Sequence, residues 1–252
     1  MGITNQNMIK PHTKARLYIN VPLNDGKIIT LASGQMHYLL HVLRLGVGAP
    51  IAVFNGVDGE YLATINKALK KRCSVCVKEQ LRPQIQCGDL WLLFAPVKKA
   101  RLDFIAQKAS ELGVRVIWPV KTDFCQISRV NDDRLAANAI EAAEQTERLD
   151  IAEIKSFSSL LTVLQRVENE RLLIWCDEAS AGHSALNIST ALAAAPPHEK
   201  AAVLIGPEGG FSESERTHLQ SRVNSLKVSL GPRILRADTA AISALSCYQS
   251  IC

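Results

Sequence analysis

The stretch Ala201-Ala202-Val203-Leu204-Ile205-Gly206-Pro207-Glu208-Gly209-Gly210-Phe211-Ser212-Glu213-Ser214-Glu215 decides the fold. Ala202 to Ile205 is an apolar run with the length of a fully buried strand. Gly206 and Pro207 stop it. Gly209 and Gly210 carry no Cβ, so the backbone there can take positive φ and lie close to a ligand. Ser212 stands three residues before Glu215, the spacing of a capping box at a helix start. Strand, glycine loop and helix form the unit of an α/β fold, where ligands gather at strand C-terminal ends. The loop lacks the lysine and hydroxyl residue of a phosphate-binding loop, and it lacks the G-x-G-x-x-G dinucleotide fingerprint. A loop with few side chains suits an adenosine read by main-chain N–H and C=O groups; a purely structural turn is the alternative.

Further along comes Leu230-Gly231-Pro232-Arg233-Ile234-Leu235-Arg236-Ala237-Asp238-Thr239-Ala240-Ala241. Leu226 to Leu230 reads as a strand stopped by Gly231 and Pro232. Arg233 and Arg236 follow, and Asp238 or Thr239 is placed to cap the next helix. Two arginines just ahead of a helix N-terminus concentrate positive charge, which suits a phosphate or a developing anionic base. A pair of solvated surface arginines is the plainer reading.

Around these loops, from Asp89 onward, strands and helices alternate. Strands are expected at Leu90–Ala95, Val114–Pro119, Arg171–Cys176, Ala202–Ile205 and Leu226–Leu230. Helices are expected at Leu102–Leu112, Asp133–Glu147, Ser158–Glu168, Glu213–Val223 and Asp238–Ser250. This alternation implies a mostly parallel sheet covered on both faces. Ser180–Pro197, rich in Ala and Ser, reads as a surface excursion. Before Asp89 the texture differs: short strands (Leu17–Val21, Ala49–Phe54, Glu60–Ile65, Arg72–Lys78) punctuated by turns and interrupted by one helix, Gly34–Arg44. That pattern reads as a small β-barrel. Residues 1–13 are polar and expected to be loose. Pro83–Gly88 reads as a linker, which divides the chain into residues 1–86 and 87–252.

The net charge of +5 is unevenly spread. Residues 1–88 hold 11 Lys and Arg against 4 Asp and Glu, a net +7, and the remainder is −2. A basic module on a near-neutral one suggests a nucleic-acid-facing part joined to a catalytic part. The seven cysteines are odd in number and scattered, which argues for a reducing cytoplasm rather than a disulfide framework. Cys73 and Cys76 have metal-like spacing, but alternation along a strand aims them at opposite faces. His37 and His41 lack the zincin glutamate, so no metal is expected. Cys176-Asp177 is a faint magnesium-binding candidate. Lys70, Lys71 and Arg72 read as a solvated basic turn. No secretory segment or apolar run of membrane-spanning length is visible, so no membrane association is expected.

Taken together, the glycine loop and the arginine loop resemble the RsmE family. Lys98-Lys99-Ala100-Arg101-Leu102-Asp103-Phe104, the run Gln107 to Val114, Ala142 to Arg148, and the stretch His37 to Arg44, ending Val42-Leu43-Arg44, extend the likeness over nearly the whole chain. The family usually has glutamate where Asp238 stands, a Glu–Arg pair near Asp123-Phe124, and a proline near Ala152. The resemblance implies a SPOUT methyltransferase domain with a C-terminal trefoil knot, plus an N-terminal PUA-like β-barrel that binds RNA. It implies methyl transfer from S-adenosylmethionine to N3 of a uridine in 16S ribosomal RNA or the small ribosomal subunit, by a homodimer. It places the cofactor at Leu204, Gly206, Glu208, Gly210, Leu230, Gly231, Ile234, Leu235, Thr239 and Ala240. Arg236 is expected to favour the anionic uracil or grip a flanking phosphate, with Asp238, and less so Glu208, as a proton acceptor. Arg16, Arg44, Lys98, Lys99 and Arg101 are the expected RNA contacts. One face of the last helix (Ala240, Ala241, Ala244, Leu245, Tyr248) suits either core packing or a subunit contact. A non-catalytic RNA-binding or ribosome-assembly factor is the rival reading.

Overall fold

The structure, a computed structural model, describes residues 13–182 and 186–251. The expectation of a loose N-terminus therefore falls almost wholly outside the described residues. Contacts divide the chain into two compact units, Met1–Gln86 and Cys87–Cys252.

The first unit runs β1 (Arg16–Tyr18), β2 (Ile28–Thr30), α1 (Ser33–His37), β3 (Pro50–Phe54), β4 (Glu60–Leu69) and β5 (Arg72–Arg82). Its sheet has the order β1-β3-β4-β5-β2, with β1 parallel to β3 and the other pairs antiparallel. The long β4–β5 hairpin carries register shifts at Tyr61 and between Ile65 and Lys67; such shifts bend a hairpin and increase its twist. Leu17, Ile29, Leu39, Ile51, Val53, Ile65 and Val75 fill its core. Cys73 points into that core, while Cys76 is half-buried.

Two expectations change here. β2 was not anticipated, because three residues are too few to display a period. The single helix expected over Gly34–Arg44 starts at Ser33 and widens into a π-helical turn over Tyr38–Val42. It ends where Arg44 takes φ +54°. Wider turns of this kind let Leu39 reach the core without a helix long enough to show a regular stripe.

In the second unit come β6 (Asp89–Phe94), α2 (Lys99–Glu111), β7 (Val116–Lys121), α3 (Asp132–Gln145), β8 (Glu153–Ile154), β9 (Ser158–Ser159), α4 (Leu160–Arg166), β10 (Leu172–Cys176), α5 (Ile188–Ala193), β11 (Lys200–Ile205), α6 (Glu213–Gln220), β12 (Ser225–Val228) and α7 (Ala237–Ile251). The sheet order is β12-β10-β11-β6-β7-β8, with β9 also on β7, and the pairs are parallel. Alternation along β11 sends Ala201, Val203 and Ile205 to one core and Ala202 and Leu204 to the other. Both faces are therefore covered, which is why the strands read as near-continuous apolar runs.

Ser180–Pro197 is not a surface excursion. Glu178–Ser180 forms a 3-10 turn, and α5 buries Ile188 and Leu192 in the main core. Burying each such side chain contributes roughly 1.5–3 kcal/mol. The backbone there is tied to the arginine loop: Ser229 N–H donates to Leu186 O at 2.7 Å and Gly182 N–H to Gly231 O at 3.0 Å. That bonding draws Ser229 out of the sheet, so β12 ends at Val228 rather than Leu230. The helix expected from Ser158 begins at Leu160, because Ser159 caps it and Ser158–Ser159 pairs with β7.

Candidate functional site

β10, β11 and β12 lie side by side and parallel, so their C-terminal ends open onto one rim of the sheet. A hollow forms there from the loops that follow all three. Cys176, Asp177, Glu178 and Ala181 come from the first, Ile205 to Glu208 and Gly210 from the second, and Leu230, Gly231, Arg233, Ile234 and Leu235 from the third, closed by Ala237 and Ala240 of α7. About 530 Å³ of unfilled space lies among these residues, open solvent at the mouth included.

Local sequence explains the glycine loop. Gly210 holds φ +68°, and its N–H donates to Pro207 O at 2.9 Å, making a tight turn. A Cβ at Gly210 would meet the Glu178 carboxylate at 3.0 Å; one at Gly206 would meet the Phe211 ring at 3.0 Å. Glycine at these two positions thus makes room for Glu178, which lines the hollow, and for Phe211, which packs on the opposite face of the sheet. The capping box forms as expected. Ser212 Oγ accepts from Glu215 N–H, and Glu215 Oε2 accepts from Ser212 N–H at 2.9 Å. Glu215 Oε1 also accepts from Asp123 N–H at 2.9 Å, which brings the Asp123-Phe124 loop onto the glycine loop. Phe124, half exposed, faces the position a Gly209 Cβ would take, at 3.3 Å.

Charge at the rim is arranged in two networks. Asp177 is fully buried, and its carboxylate takes Arg216 at 3.1 and 3.2 Å and Lys227 at 3.1 Å. Burial pushes this carboxyl up, but the hydrogen bonds from Arg216 and Lys227 outweigh that and hold it below the usual range. Asp177 is therefore a structural anchor, its carboxylate taken up by two cations rather than free for magnesium. Among the described residues no group of three or more His, Cys, Asp or Glu is placed to hold a metal. Glu178 next to it is pushed up, first by burial and then by the charge of Asp177. Burial pushes the Cys176 thiol up to about 12, which removes it as a nucleophile.

In the second network Arg101 of α2 donates to Glu208 at 3.2 Å and lies 3.9 Å from Asp238. Arg101, expected to touch RNA, thus links the glycine loop to the start of α7. Asp238 sits inside the first turn of α7 rather than at its cap, and accepts from Thr239 N–H at 3.0 Å.

Eight of the expected cofactor residues line the hollow: Gly206, Glu208, Gly210, Leu230, Gly231, Ile234, Leu235 and Ala240. Leu204 does not; it packs with Trp175 and Phe211 on the opposite face of the sheet. Thr239 is exposed outside the hollow. Arg236 is exposed between two lining residues, and its guanidinium has no partner among the described residues. Arg16 is taken up internally, bonded to Glu60 at 2.5 Å and lying 3.7 Å over the Phe54 ring. Arg44 and Lys98 are exposed, and the side chain of Lys99 lies outside what is described. The small-residue face of α7 packs into its own core through Ala240, Ala241, Ala244 and Leu245. The loop after β10 also supplies Glu178 and Ala181, which the sequence reading passed over. Their only signal was an acidic pair directly after a buried strand.

A parallel sheet whose C-terminal loops build a side-chain-poor hollow, beside an arginine-bearing loop, defines an α/β domain with a candidate small-molecule site at its strand ends. Family models agree: an RNA methyltransferase domain matches residues 84–249 and an RNA methyltransferase PUA domain matches residues 32–76. Ribosomal RNA small subunit methyltransferase E of Rickettsia conorii is 39% identical over 92% of this chain and 93% of its own length. The Bacillus subtilis protein of that name is 25% identical over 89% and 90%. A putative methyltransferase from Legionella pneumophila, solved with bound cofactor SAM, superposes with a TM-score of 0.79 at 29% identity, covering 94% of this chain and 97% of its own. The Neisseria gonorrhoeae methyltransferase E bound to S-adenosyl methionine has the same fold (TM-score 0.81, 24% identity, 95% and 98% covered). The chain belongs to the RsmE family of ribosomal RNA small subunit methyltransferases.

Proposed function

We propose that this chain transfers the methyl group of S-adenosylmethionine to N3 of a uridine in 16S ribosomal RNA, alone or in the small ribosomal subunit, acting in the cytoplasm as a homodimer. The observation that supports this reading best is the hollow at the ends of β10, β11 and β12 in a chain of this family. The bare backbone at Gly206 and Gly210 fits a flat nucleoside, and Leu230, Ile234, Leu235 and Ala240 supply apolar walls. Leu204 supports the loop from beneath the sheet, and Thr239 belongs to the helix turn that closes the site. When bound, the cofactor supplies an electrophilic methyl on a cationic sulfur.

Uridine N3 has no free lone pair while protonated, so its proton must leave before or during attack. Arg236, exposed and without a protein partner, favours the anionic base by charge or grips a neighbouring phosphate. Asp238 is the preferred proton acceptor and Glu208 the lesser candidate; Arg101 bonds Glu208 at 3.2 Å and lies 3.9 Å from Asp238. Holding N3 in line with the methyl contributes further rate. Arg44, Lys98 and Lys99 steer the RNA, while Arg101 links Glu208 to Asp238 and Arg16 supports the first unit's fold. Calorimetric titration with S-adenosylmethionine tests the reading, together with mass spectrometry of ribosomal RNA from a deletion strain. Absence of cofactor binding would return the chain to a non-catalytic RNA-binding role.

A further inference from the structure

We infer that Glu178 reads the ribose of the cofactor, its carboxylate accepting from the 2′,3′-diol; the assignment rests on the proposed cofactor reading. Three carboxylates line the hollow, at Asp177, Glu178 and Glu208. Asp177 is saturated by Arg216 and Lys227, and Glu208 is engaged by Arg101. Glu178 forms no hydrogen bond and no ion pair through its side chain with any described residue, yet it is half-buried. Burial without a partner costs free energy and pushes this carboxyl up from its ordinary value, so the group is held bare at the expense of the fold.

Its position says what it meets. β10 and β11 are paired with Cys176 opposite Ile205. Glu178 therefore leaves the sheet one strand away from Gly206, and neighbouring strands lie about 4.8 Å apart. Its Oε1 stands 3.0 Å from where a Gly210 Cβ would be, so the carboxylate abuts the bare backbone of the loop. A nucleoside whose base lies along that backbone turns its sugar toward the neighbouring strand end. An ionised carboxylate only accepts hydrogen bonds, and a vicinal diol offers two O–H donors at matching separation. Acidic side chains also hold ribose hydroxyls in dinucleotide-binding α/β folds, there from a position after the glycine loop in sequence.

The probes are S-adenosylhomocysteine, its 2′-deoxy counterpart and 5′-methylthioadenosine, titrated calorimetrically into the wild-type chain and into Glu178→Gln. The variant keeps size and removes only charge, and its melting temperature is expected at or above that of wild type. Wild type is expected to bind the 2′-deoxy ligand about tenfold more weakly than S-adenosylhomocysteine. Glu178→Gln is expected to weaken S-adenosylhomocysteine and 5′-methylthioadenosine alike by a similar factor, with little further loss for the 2′-deoxy ligand. Equal affinities in variant and wild type overturn the assignment alone. So does a loss confined to S-adenosylhomocysteine, which would move the contact to the amino-acid ammonium. If the variant is unstable, the wild-type comparison of the two sugars decides by itself. A wild-type chain that binds none of the probes removes the proposed function, and this assignment with it.

Discussion

Gly210→Ala isolates the glycine loop from the rest of the fold. Gly210 holds φ +68°, where an L side chain costs about 1–2 kcal/mol. The added Cβ meets Glu178 at 3.0 Å from Oε1, 3.2 Å from Cγ and 3.3 Å from Cδ. These atoms belong to a flexible side chain, so they swing aside and the fold survives. In a domain of this size the backbone cost corresponds to a melting temperature lower by roughly 2–8 °C. The displaced carboxylate and the new methyl both enter the hollow, so affinity for S-adenosylmethionine is expected to fall at least about tenfold, near 1.4 kcal/mol. Gly209→Ala is the control: its φ is ordinary and its Cβ meets Phe124 at 3.3 Å, outside the hollow. Its effect on affinity is expected to be smaller. The assay pairs thermal melting with calorimetric titration. A Gly210→Ala chain that melts lower and still binds with wild-type affinity would refute the cradle.

Arg236→Ala is expected to lower turnover far more than cofactor affinity, in single-turnover methylation beside calorimetry; equal losses would make it a structural residue. Asp177→Ala strands Arg216 and Lys227 beside a buried site and is expected to cost about 3 kcal/mol, discounted for the partial exposure of both cations; an unchanged denaturation midpoint would contradict the anchor. Asp177, Asp150 and Glu60 are all raised by burial and more than returned by hydrogen bonds to arginine or lysine, ending below their ordinary values. A depressed carboxyl contributes stability that is present above the unfolded value near pH 4 and lost as pH falls through the folded value. The melting temperature is therefore expected to drop steeply below about pH 4, and a flat profile there would be inconsistent with these pairs. Alanine at Arg44 or Lys98 is expected to reduce the salt slope of RNA binding by about one unit per true phosphate contact. Arg16→Ala is expected instead to lower the first unit's melting temperature.

What the residues alone determined was local or periodic. The strand–glycine–helix unit at Ala202–Glu215 was legible because positive φ, chain reversal and capping each demand a residue type at a fixed offset. The parallel sheet was legible because strands covered on both faces must be apolar throughout. A trefoil knot, implied only by the family resemblance, leaves no such mark, since no periodicity records the order in which loops cross. Contacts between segments distant in sequence were decided by the tertiary structure. It joined the Glu178 loop to Gly210, bound Ser180–Pro197 to the arginine loop, turned Leu204 away from the hollow, and spent Arg16 on Glu60 and Arg101 on Glu208 and Asp238. A charge in sequence has no partner until packing supplies one, so whether an arginine meets nucleic acid or a neighbouring carboxylate is settled only by the fold.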